Sequence, residues 1–212
     1  MPKPPNVYEI NVFINCPFDD NYKPLFHAIV FTVCDAGFEP RCSKEVESGT
    51  HDRLDNIMDI ISQCKYGIHD ISRTELDPKN PLPRFNMPLE LGIFLGCEEF
   101  GRHTKVCLIL DKKEYRYQKF ISDIAGRNVR SHNNKPKDVI RRVRDWLVTE
   151  SKWIIPGGAK IYERYSLFKK ELPDLAGEVG HKISELTFLD LVNLVKIWIK
   201  RVDESTQQKF HI

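Results

Sequence analysis

Metal-binding cysteine pairs, long hydrophobic runs, glycine-rich phosphate loops and a dominant sign of charge are all missing from this 212-residue chain. Its six cysteines, at 16, 34, 42, 64, 97 and 107, include no C-x-x-C pair, and no paired histidines on a helix complete a zinc set. Reduced thiols and no metal site are therefore expected. Thirty-two Lys and Arg against thirty Asp and Glu leave a formal charge of +2, too small a field to draw the whole chain onto nucleic acid or anionic lipid. Neither G-x-G-x-x-G nor a P-loop ending in Lys-Ser/Thr follows a predicted strand, so dehydrogenase and P-loop ATPase chemistry drop out and no cofactor is expected. The apolar run Phe188 to Trp198 is too short and too charged to cross a bilayer, so no membrane partner is expected. Met1-Pro2-Lys3-Pro4-Pro5 lacks the apolar core of a secretory signal, which predicts a cytoplasmic chain.

What is present is an alternation of strand and helix. Glu9 to Asn15 is rich in β-branched and aromatic residues and stops at the polar turn Cys16-Pro17-Phe18-Asp19-Asp20. Leu25, Phe26, Ile29, Val30 and Val33 recur at helical spacing, and a short strand is predicted over Phe38 to Cys42. A second helix runs from about Thr50, its expected N-cap, to Cys64, followed by a strand over Tyr66 to Ser72. After a proline-bearing loop, a helix over Met87 to Glu98 leads into the nearly all-apolar strand Val106 to Leu110. Further helices are predicted over Tyr115 to Ile124 and Lys137 to Val148, with a weak fifth strand over Asn128 to His132. This order implies an α/β domain over residues 1–150 with a flavodoxin-like, doubly wound parallel sheet of about five strands. Residues 151–212 read as a helical appendage, with helices over Tyr162 to Leu172 and Phe188 to Trp198, packing on the domain or on a second subunit.

Ligands of open parallel sheets bind where strands end and helices begin. That rim gathers Asn15 to Asp20, Arg41 to Ser43, Asp70 to Arg73 and Asn86 to Glu90. Glu90 is expected in the first turn of its helix, where the dipole favours an ionised carboxylate and hence a nucleophile. A competing reading makes Pro88 the first helical residue and Glu90 a capping-box acid. Asp70, followed by Ser72, either holds ribose hydroxyls and assists Glu90 or forms an Asx-type turn. Asn15 and Asp19 either contact a sugar or base or serve as ordinary loop residues. Cys16 near His27 or His69 offers a thiol, but no spacing fixes a base and an orienting acid around it. The cluster Arg127, Arg130, Lys135, Lys137, Arg141, Arg142 and Arg144 could meet nucleic acid, although Asp138 and Asp145 dilute it to a solvated face.

The segment Met87-Pro88-Leu89-Glu90-Leu91-Gly92-Ile93-Phe94-Leu95-Gly96 resembles the nucleophile helix of nucleoside 2-deoxyribosyltransferase-like proteins. Val12-Phe13-Ile14-Asn15 followed by Asp19 and Asp20 resembles the opening strand of TIR domains, which share the flavodoxin-like topology. Together the resemblances cover about residues 8–132. They imply cleavage of the bond between a ribose carbon and a base nitrogen, with Glu90 as the nucleophile against an oxocarbenium-like transition state. They also imply Phe13, Asn15, Asp19 and Ser72 near the substrate, and a role in bacterial phage defence held off until a partner protein or signal assembles the site. Phe13 stands where the transferases often have Tyr, and Arg53 and Arg84 stand near positions where they often have carboxylates. Arginines pair with phosphate, so the expected substrate is a nucleotide or NAD rather than a bare nucleoside, bounded by Arg53, Arg84 and Asn86. The alternatives are a non-catalytic nucleotide-sensing or scaffold module, and a nucleic-acid-binding accessory protein acting through the basic cluster.

Overall fold

The computed structural model describes residues 6–45, 52–75 and 84–209. A short helix, α1 (Val7–Ile10), leads into β1 (Asn11–Asn15), α2 (Lys23–Asp35), β2 (Glu39–Arg41), α3 (Arg53–Ser62), β3 (Tyr66–Asp70), α4 (Asn86–Phe100) and β4 (Val106–Asp111). The chain continues through β5 (Val129–Ser131), α5 (Pro136–Ser151), α6 (Gly158–Glu178) and α7 (Phe188–Lys209). The five strands are all parallel, in the order β2-β1-β3-β4-β5, which is the expected flavodoxin-like sheet. Every residue of β1 and β3 is buried, because helices cover both faces of the sheet.

Side-chain alternation divides the strands between two cores. Val12, Ile14, Tyr66, Ile68, Leu108 and Leu110 face α2 and α5, while Phe13 joins Ile57, Ile60, Ile61 and Phe94 on the α3 and α4 side. Phe13 lies opposite Gly67 on β3, and a side chain at Gly67 would meet the Phe94 ring and His69 at 2.7 Å. The glycine is therefore a clearance for rings.

The helices α6 and α7 form a further layer outside α2 and α5. Phe31 of α2 is wedged among Tyr165, Phe168 and Trp198, at ring-centroid distances of 5.7, 5.4 and 5.7 Å. Arg164 of α6 bridges Asp35 of α2 and Asp203 of α7 at 2.9 Å each. The carboxyl-terminal helices thus share one continuous core with the sheet. Residue 173 is a proline inside α6, yet it faces solvent, where the carbonyl freed by the missing N–H can be hydrated.

Several predicted elements are corrected. The helix expected over Tyr115 to Ile124 is two 3₁₀ turns, Arg116–Lys119 and Ser122–Ile124: Tyr115, in a left-handed conformation (φ 57°), precedes the first, and Phe120 (φ −140°) and Ile121 (φ −148°) leave helical geometry between them. Thr50 lies outside the described residues, and the side chain of Asp52 caps α3 by accepting from the Leu54 N–H at 3.1 Å. β3 ends at Asp70, so Ser72 belongs to the loop. α7 extends well past Trp198 to Lys209.

Candidate active site

A cleft of about 530 Å³ opens at the carboxyl ends of β1 and β3, where the strand order reverses direction and the following loops part. Asn15, Phe18 and Asp19 line it from the β1 side, Arg53 from the start of α3, and Arg84, Asn86 and Glu90 from the start of α4. The structure therefore brings together six residues singled out in the sequence: Asn15, Asp19, Arg53, Arg84, Asn86 and Glu90.

Glu90 sits two residues further into its helix than expected. α4 starts at Asn86 with Phe85 as a cap that makes no side-chain hydrogen bond, so Pro88 is the third helical residue and Glu90 the fifth. The capping-box alternative has no geometry to support it. Only 6 % of Glu90 is exposed, and burial lifts its carboxyl from an ordinary 4.5 to about 7, against the opposing pull of Arg53. Desolvation overrides the helix dipole that was expected to keep the group fully ionised.

Asn15 fastens the two sides of the cleft together. Its Nδ2 donates to the Met87 carbonyl at 2.8 Å and lies 3.1 Å from Nδ1 of His69, its direct neighbour across the strand pair. Both partners are acceptors, so both amide hydrogens point into the protein and Oδ1 is left for the cleft. His69 is neutral, its protonation suppressed by burial to about 3. Asp19 accepts from Arg73 at 3.1 and 3.2 Å and from the Tyr22 N–H at 3.1 Å, which fixes the loop after β1.

Three residues fall elsewhere. Phe13 is fully buried under α3 and α4 and packs against His69 at 5.8 Å. Asp70 points to the opposite face of the sheet from α4, where it accepts from the Tyr22 hydroxyl at 2.5 Å and the Ser72 N–H at 2.8 Å. Nε2 of His132 lies 2.9 Å from the same carboxylate. Because Nδ1 of His132 accepts the Asn134 N–H at 3.0 Å, its proton sits on Nε2, facing Asp70. Burial opposes the Asp70 charge, but these donors outweigh it and hold the group below the usual carboxylate range. Ser72 is buried in the same network through its N–H. The i to i+2 bond is the Asx-type turn weighed from sequence.

Lys44 lines the cleft although it lies outside the rim drawn from sequence, and so do Phe18 and Cys16 of the first loop, the latter weighed above as a thiol. Lys44 follows the rim segment Arg41 to Ser43 by one residue, and its ammonium lies 4.6 Å over the Phe18 ring. The Cys16 thiol is held protonated by burial and by the Asp70 carboxylate, which argues against a thiolate nucleophile. Elsewhere, Arg127, Arg142 and Arg144 of the basic cluster are engaged by Glu98, the Ser131 carbonyl, and the Ile155 and Pro156 carbonyls. Among the described residues, no helix is long and apolar enough to cross a membrane.

Among the described residues, Arg53, Arg84 and Lys44 make no ion pair, whereas Asp19 at the rim is paired with Arg73. Three cations with no ion-pair partner among the described residues, around one half-neutral carboxyl, make an electropositive cleft suited to an anion bearing a polar, sugar-like body. No protein-family model and no curated protein matches the chain.

Proposed function

We propose that the chain cleaves the N-glycosidic bond of a nucleotide-type substrate, with Glu90 acting at the anomeric carbon. The observation that carries this reading is a buried carboxyl, poised at about 7, beneath a cleft rimmed by Arg53, Arg84 and Lys44. Phosphate would be held by the rim cations, and Oδ1 of Asn15 would accept from a ribose hydroxyl. As the bond between C1′ and the base nitrogen breaks, its electron pair leaves with the base and the ionised Glu90 stabilises or captures the cationic sugar carbon. Water then adds to C1′, any C1′–Glu90 bond breaks with its electron pair returning to the carboxylate, and the water's proton passes to solvent to complete hydrolysis; a second base in place of water gives transfer. A base that is already positively charged, as in NAD, departs neutral and needs no proton donor. Asp70, through Tyr22 and His132, acts here as a positioning residue for the loop that lines the cleft. The resemblance of the Glu90 helix to the transferase nucleophile helix supports the same chemistry.

The test incubates the full chain with NAD, nucleotides and deoxynucleosides beside a Glu90→Gln variant, following base release by chromatography with mass detection. Release should rise with pH through about 7 as Glu90 ionises, and it should vanish in the variant. Nucleotide binding with no release at any pH would replace this reading with a sensor role.

A further inference from the structure

A second cavity, of about 190 Å³, lies between the start of α2 and the segment leading into α7. The rings of Phe18, Phe26 and Phe188 wall one side, with Phe18 edge-on to Phe26 at 5.2 Å and Phe188 tilted against Phe26 at 6.0 Å. Lys23 and Lys44 contribute two ammonium groups to its lining against, among the described residues, the single carboxylate of Asp20. Neither lysine makes an ion pair among the described residues. His27, also in the wall, is kept neutral down to about 4 by burial and then by Lys23 and Lys169. The local field is therefore positive over an aromatic floor.

Independently of the reaction proposed above, we propose that this cavity is a second binding site, for a small anion built on a single aromatic ring. Its size admits one ring, since a cavity of about 150 Å³ accommodates benzene, and the phenylalanines offer edge-to-face contact. The lysines define the charge: a phosphate or carboxylate on the ring would lie toward Lys23 and Lys44. Phe18 and Lys44 also line the first cleft, so the two cavities share a wall.

Phenyl phosphate is the probe, titrated calorimetrically into the full chain. One site per chain is expected, with phenol and inorganic phosphate each binding about tenfold more weakly because each lacks half of the recognition. Ser184→Trp places a ring in the cavity from an exposed position and should abolish binding without touching the core. Lys23→Glu should weaken it about tenfold or more through charge reversal. Arg84→Ala, on the first cleft alone, should leave the affinity unchanged. The proposal is overturned if wild-type protein gives no binding at millimolar probe, if Ser184→Trp binds normally, or if Arg84→Ala removes the signal.

Discussion

Replacing Glu90 by Gln should stabilise the fold, and by an amount that depends on pH in a defined direction. The folded protein holds the Glu90 proton up to about 7, whereas the unfolded chain releases it near 4.5. Between those values the native state binds more protons, so stability falls as pH rises through this window and the full penalty is present above it. At about 1.4 kcal/mol per tenfold change in dissociation constant, the penalty reaches about 3 kcal/mol in mild alkali. Glutamine keeps the shape and does not titrate. Its advantage over wild type should therefore grow by about 3 kcal/mol from mild acid to about pH 8.5. For a chain of this length that corresponds to a relative gain in Tm of about 6–12 °C. Thermal melts of both proteins by far-ultraviolet circular dichroism across this range provide the measurement. A difference in Tm that stays constant with pH would refute the placement of a desolvated, ionisable carboxyl beneath the cleft. Because the comparison needs no substrate, it tests the site separately from the reaction.

Tyr22→Phe removes a donor from the buried Asp70 carboxylate and should cost about 1.5–3 kcal/mol by urea denaturation. Since Asp70 is held ionised below the usual range, that cost is present at neutral pH and should shrink in strong acid, as the group takes up a proton. Gly67→Ala should cost about 1–3 kcal/mol, because the added carbon meets Phe94 and His69 and they must give way; unchanged stability would mean that this clearance is not needed. Arg164→Ala strands the buried Asp35 carboxylate and should destabilise the whole chain by about 3 kcal/mol in a single cooperative transition. Separate melting of the outer helices would contradict their shared core.

The parallel sheet was readable because its strands are short apolar runs separated by amphipathic helices, a pattern local to each segment. The cleft was readable in outline for the same reason: strand ends and helix starts are sequence-local, and Asn15, Asp19, Arg53, Arg84, Asn86 and Glu90 all occupy them. Asp70 shows where local reasoning stops. Period-two alternation places it on the same side as Tyr66 and Ile68, opposite Phe13, but its partner His132 lies across the sheet and far along the chain. The charge state of Glu90 was likewise hidden, since it depends on how α4 packs, and the dipole argument carried the wrong sign of net effect. Lys44 lay one residue beyond the rim drawn from sequence, and only the cation-over-ring contact with Phe18 marks it.

Sandwiching α2 between the sheet and the outer helices gives the cleft two unequal jaws. Leu25, Phe26 and every residue from Ala28 to Val33 are buried, so the helix has almost no solvent-facing side along that stretch. The loop that carries Phe18 and Asp19 hangs from this immobilised rod and is pinned again by Asn15 and Arg73. The opposing jaw presents the long side chains of Arg53 and Arg84, with no ion-pair partner among the described residues, near helix starts. Accommodation of differently sized guests therefore falls to those two arginines, and a graft meant to alter selectivity belongs on their side, leaving the anvil intact.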